Sequence, residues 1–168
     1  MNQNDLTERL QQLLDRLDEQ QRLEFKQAVV RQAIFYVEIL LPPADEDEGH
    51  RNGIISARRW LQEPTAEKAH QAAAGAAGEC IDGGVRYFDY PEYFLLPAFV
   101  AGAAEVEQAA QFARRAGVKA ELYQGHFKQI VPDEAEEQVV AMAQSAALEW
   151  QIAVAQAILC AADLPPLN

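Results

Sequence analysis

The chain has 168 residues, with 26 acidic against 14 basic side chains and a net charge of −12. That sign is wrong for a nucleic-acid binder, which needs a basic face, and 49% hydrophobic with 24% charged residues excludes a disordered composition. A membrane span needs about 20 consecutive apolar residues, whereas the run from Phe94 to Ala104 is interrupted by Pro97 and Gly102, and two cysteines are too few for a disulfide scaffold.

Thirty alanines and seventeen glutamines favour helix, and alternating β-branched runs are scarce. The expectation is an all-α fold: a single-domain bundle of six to seven helices over residues 1–168, with a long central C-terminal helix. Acid-x-x-acid or acid-x-x-Gln pairs of capping-box spacing stand at Asp5/Glu8, Asp18/Gln21, Asp89/Glu92 and Asp133/Glu136, and Thr65 is a further N-cap candidate. Stops fall at Pro42-Pro43, Pro64, Gly83-Gly84, Gly117 and Pro165-Pro166. The predicted helices are 5–17, 19–41, 53–63, 66–82, 90–116, 118–130 and 133–162.

In chain order, Met1 to Glu8 carries neither a basic nor an apolar stretch of signal-peptide type, so a cytoplasmic location is expected. Leu6, Leu10, Leu13 and Leu17 form one stripe that does not continue in heptad register through Gln20 and Glu24. Residues 1–17 therefore read as a peripheral arm folding against the second helix, or as a docking helix for another chain. The second helix presents Leu23, Val30, Ile34, Val37 and Leu41. The loop over 42–52 contains Asp45, Glu46, Asp47 and Glu48, which either dock a basic partner or simply keep the loop solvated. His50 lies in the same loop.

Residues 66–82 place Ala69, Ala72, Ala73, Ala76, Ala77 and Cys80 on one face, with Gly75 and Gly78 expected where a neighbouring backbone crosses. Glu67 and His70 have the Glu-x-x-His spacing of carboxylate-bridged metal sites in helical bundles, but no second copy exists. No cofactor or metal is expected, with Glu67 and His70 the remote exception.

Residues 87–99 hold six of the fourteen aromatic residues. Either this stretch supplies the bulk that alanine faces lack, or Tyr87, Tyr90 and Tyr93 face a partner while Phe88, Phe94 and Phe99 point inward. Pro97 marks a kink or a helix start. His126 has no acid at helical spacing. In the last helix, Trp150, Ala153, Val154, Ala157 and Ile158 form one apolar side and Leu148, Ile152 and Leu159 another. The helix is then central, or shared with a second copy through Leu148, Ile152 and Leu159. Glu149 is the one carboxylate that helix geometry could bury, or else a member of a polar stripe with Ser145 and Gln156. Cys80 and Cys160 read as small buried hydrophobes.

No nucleophile elbow, phosphate-cradling loop, dinucleotide fingerprint or C-x-x-C is present. Around Ala57-Arg58-Arg59-Trp60-Leu61-Gln62-Glu63-Pro64-Thr65, followed by Ala69 and the alanines to Ala77, the chain resembles alanine-rich helical immunity proteins of bacterial toxin systems. The resemblance implies a small cytosolic protein that binds another protein and carries no catalytic residues. The expected function is accordingly a non-enzymatic protein-binding module that occludes a partner, with no nucleic acid or membrane involved. The competing expectations are a ligand or metal binder with a pocket between helices, using Glu67, His70 or Glu149, and a structural homo-oligomer.

Overall fold

The computed structural model describes residues 2–40, 51–83, 91–127 and 136–167. The described residues form seven α-helices and no strand: α1 (Gln3–Leu14), α2 (Glu19–Leu40), α3 (Asn52–Gln62), α4 (Ala66–Gly83), α5 (Pro91–Gly102), α6 (Val106–Phe127) and α7 (Glu136–Leu159). The all-helical bundle expected from composition is what the chain adopts, and no described helix is long and apolar enough to cross a membrane.

Local chemistry explains the helix starts. At α2, the Gln21 N–H donates to Asp18 Oδ1 (2.8 Å) and the Asp18 N–H to Gln21 Oε1 (3.1 Å), a reciprocal capping box. At α4, Thr65 Oγ1 accepts from the Lys68 N–H at 3.2 Å. α1 starts one turn before the predicted Asp5/Glu8 box, because Asn2 caps the Asp5 N–H (2.9 Å) and Asp5 returns the bond to the Asn2 N–H (3.2 Å). Asp89 and Asp133 lie outside the described residues.

α5 packs against α2, α3, α4 and α6, while α7 packs against α1, α2 and α6. One contiguous core runs through all seven helices. Leu6, Leu10, Leu13, Leu14 and Leu17 are buried in it, but α1 lies on α7, with a smaller contact to α6, and not on α2 as its position in sequence suggested. The Gln3 amide also donates to Gln144 on α7. The long C-terminal helix buries Ala143, Ala147, Leu148, Gln151, Ile152, Val154, Ala155 and Ile158, about half of its circumference at 100° per residue.

Four features differ from the sequence reading. First, Pro97 is not a helix start: it is buried inside α5, which starts at Pro91 and continues to Gly102. Second, the break expected at Gly117 falls instead between Gly102 and Val106. Gly117 is interior to α6, where a Cβ would stand 3.0 Å from the Tyr36 ring. It is a packing seat, not a stop.

Third, Gly75 and Gly78 face open space: a Cβ on either meets nothing within 4 Å. The close approaches lie elsewhere. A Cβ on Gly53 would stand 2.2 Å from the Phe94 carbonyl oxygen, and one on Gly102 would stand 2.5 Å from the Ala73 Cβ and 2.9 Å from its nitrogen. The buried side of α4 is Ala72 and Ala76, with Ala69 and Ala73 half-buried, while Ala74, Gly75, Ala77 and Gly78 are exposed.

Fourth, Cys160 is exposed, because α7 ends there. The Ala162 N–H donates to the Ala157 carbonyl (2.9 Å) and the Ala161 N–H to the Ile158 carbonyl (3.2 Å), the bond pattern of a Schellman cap with Ala161 at φ 50°.

Two expectations follow from this geometry. Replacing Gly75 or Gly78 by Ala raises unfolding free energy by about 0.5–1 kcal/mol each, since both are exposed helix-interior positions. Gly102→Ala and Gly53→Ala lower it, because a backbone atom occupies the space; urea unfolding of the four variants checks the sign at each site. Ala161→Gly relieves a left-handed residue that costs about 1 kcal/mol with a Cβ present, and thermal melting shows the gain as a raised Tm.

Candidate functional site

Tyr87, Tyr90 and the acidic Asp45, Glu46, Asp47 and Glu48 lie outside the described residues, as does His50; Tyr93 falls in the first turn of α5. Phe94 is buried, and Phe99 packs against the core at 6.0 Å from the Phe112 ring, so this part of the aromatic stretch supplies bulk to the interior. Leu148 and Ile152 are buried within one chain and Leu159 is partly buried against the core, which leaves their face filled without a second copy. Glu67 and Glu149 are exposed. No group of three or more His, Cys, Asp or Glu with metal-binding geometry occurs among the described residues.

The structure instead brings together a groove of about 950 Å³. It opens where three chain reversals meet: the α1–α2 turn contributes Asp18, Glu19 and Gln20, the α3–α4 junction Pro64, Thr65 and Ala66, and the α5–α6 junction Gly102, Ala103 and Ala104. Leu23, Trp60, Ala69 and Ala73 give it an apolar lining; Arg22 and Lys26 are its cations, and His70 lines it as well. His70 was singled out from the sequence, but it stands here without Glu67, which does not line the groove.

The groove's charges are set by their neighbours. Arg22 pairs with Glu107 at 3.4 Å and donates to the Leu14 carbonyl at 3.0 Å. Asp18 is engaged in the α2 cap. Lys26 Nζ donates to the Ala103 carbonyl at 2.6 Å and sits 4.7 Å from the centroid of the Trp60 ring, a cation–π contact. Trp60 is only 2% exposed, and it lines the groove together with Lys26. Burial lowers the Lys26 pKa from its ordinary value.

A second polar cluster is internal. Arg114 Nη1 donates to Gln151 Oε1 (2.8 Å), and Gln151 Nε2 donates to Gln32 Oε1 and to the Ala110 carbonyl, both at 3.0 Å. Gln32 and Gln151 are wholly buried, and among the described residues no hydrogen-bond partner meets Gln32 Nε2. Burial lowers the Arg114 pKa. Nearby on α2, burial raises that of Tyr36, with Gln32 acting against the rise and Glu121 adding to it. These bonds join α2, α6 and α7, which makes the cluster a tie between helices.

Lys26 and the glutamines were missed in the sequence for different reasons. Gln32 lies three, four and seven residues after the buried Val29, Ala28 and Phe25, so its helical position was a usable signal. Lys26 sits in the mixed run Arg22-Leu23-Glu24-Phe25-Lys26, where nothing local separates it from a surface lysine.

Gln151→Leu is expected to lower unfolding free energy by about 3 kcal/mol, because Arg114, Gln32 Oε1 and the Ala110 carbonyl all lose a partner. Gln32→Leu costs less, since Gln151 keeps both Arg114 and Ala110. Urea denaturation of the two variants, side by side, checks the order.

No protein-family model, no curated protein and no solved structure matches this chain.

Proposed function

We propose that this protein is a non-enzymatic protein-binding module, an immunity-type protein of the bacterial cytoplasm that occludes its partner, and that the partner docks in the groove between α2, the α3–α4 junction and the α5–α6 junction. The observation that carries this reading is the form of the groove: about 950 Å³, open to solvent, lined by Leu23, Trp60, Ala69 and Ala73 and rimmed by charge. An apolar strip with a polar rim is the anatomy of a protein interface. The net charge of −12 favours a basic partner through long-range attraction. The resemblance around Trp60 and the α4 alanines supports the same class, with Tyr87, Tyr90, Tyr93 and Asp45 to Glu48 as a second candidate contact.

A small-ligand site is the second reading, and one observation favours it: His70 lines the groove. It gains neither Glu67 nor Glu149, which lie elsewhere.

The test is affinity capture from extract of the cells that make the protein, followed by titration of the purified partner. Ala66 lines the groove and is exposed at the start of α4, so Ala66→Trp fills the groove without touching the core. Wild-type protein is expected to bind the partner and Ala66→Trp to lose it by tenfold or more, roughly the loss of one central interface contact. Equal binding by Ala66→Trp rejects the groove. A parallel variant with Tyr87, Tyr90 and Tyr93 all changed to Ala reports on the aromatic segment.

A further inference from the structure

Lys26 is a half-buried ammonium whose two close contacts are both neutral. Its hydrogen bond goes to a backbone carbonyl and its other close contact is an indole face. Burial disfavours its charged form, and no carboxylate among the described residues offsets that. This is unusual in a chain with nearly twice as many acids as bases. The groove's other partly buried cation, Arg22, already holds Glu107, and of the acids lining the groove, Asp18 accepts an N–H at the start of α2 and Glu19 stands in that helix's first turn.

An ammonium has three N–H donors; Ala103 takes one. A partly desolvated cation of this kind gains most from a carboxylate that arrives with its own apolar cover, since pairing then replaces lost water.

We propose that the groove receives a segment of the partner protein bearing a single carboxylate, and that Lys26 Nζ binds that carboxylate between Trp60 and the Ala103 carbonyl. This rests on the docking reading above and names the chemistry of the docked segment. The flanking residues of the segment are small and apolar, to lie along Leu23, Ala69 and Ala73. Its outer residues are basic or neutral, because Asp18, Glu19 and the net charge of −12 repel an acidic run. A free small acid fits poorly: the groove is wide and Lys26 offers one fixed donor group with no enclosing ring of others.

The prediction opposes the long-range field, which makes it sharp. The protein as a whole attracts positive charge, so changing a peptide's Glu to Gln should strengthen binding if only net charge matters. Local pairing at Lys26 reverses that order.

The probe is an acetylated, amidated peptide, Lys-Leu-Ala-Glu-Ala-Leu-Lys, with its Glu-to-Gln counterpart and free glutarate as controls. Binding is read by titration calorimetry, which needs no tryptophan reporter and serves every variant. The Glu peptide is expected to bind about tenfold tighter than the Gln peptide, the scale of a close interfacial charge pair. That preference should vanish in Lys26→Met, persist in Lys26→Arg, and both peptides should be excluded by Ala66→Trp. Should Lys26→Met fail to fold by circular dichroism, the Glu-against-Gln comparison on the intact chain decides alone. Equal or inverted affinities, with Ala66→Trp still blocking, overturn the carboxylate contact and leave the docking groove standing. Absence of binding by either peptide, or binding indifferent to Ala66→Trp, overturns both. Glutarate competing as strongly as the Glu peptide overturns the partner segment in favour of a small acid.

Discussion

The seating of α5 among its neighbours rests on two backbone approaches that leave no room for a Cβ. At Gly53 the backbone of α3 meets the Phe94 carbonyl, and at Gly102 the end of α5 meets the backbone of α4 at Ala73. α5 buries Phe94, Leu95, Leu96, Ala98, Val100 and Ala101 and needs apolar cover on every side. The neighbours supply it with small residues: Ala57 on α3, Ala72 and Ala76 on α4, and Ala109, Ala110, Ala113 and Ala116 on α6 are all buried. A bulky helix set among alanine faces fills space efficiently, because large residues on one side meet small ones on the other.

The same tight arrangement limits where polar groups can go. Arg114 and Lys26 are partly buried yet bonded to neutral partners, while the ion pairs Arg22–Glu107 and Arg58–Glu38 lie nearer the surface. The internal glutamine cluster joins α2, α6 and α7 through bonds that would cost more broken than they contribute intact. It orients α7, which also packs against α1. The leucine stripe of α1 thereby occupies apolar surface that the isolated C-terminal helix would present to another chain.

The groove is a consequence of helix ends. Three reversals of the chain fall on one side of the bundle, and side chains cannot close the space between them, because Ala66, Ala69, Ala73, Gly102, Ala103 and Ala104 are all small. Trp60 forms its floor from beneath, with Lys26 bridging from α2 to the carbonyl left free where α5 ends. A feature made of small residues, one indole and one lysine suits recognition by shape and charge.

Local physics made several parts of this protein legible in the sequence. Helical class follows from alanine and glutamine content. The starts of α2 and α4 follow from Asp18/Gln21 and Thr65, because caps act within one turn, and the burial of Leu6, Leu10, Leu13 and Leu17 follows from their spacing. Tertiary structure alone decided the rest. Whether a glycine is a stop, a seat or merely exposed depends on what lies across from it, as Gly117, Gly102 and Gly75 show in turn. α1 lies on α7 because long-range packing, not proximity along the chain, selects the partner of an apolar stripe. Lys26, Trp60 and Ala103 come from α2, α3 and the α5–α6 junction, so their meeting exists only once the bundle has closed.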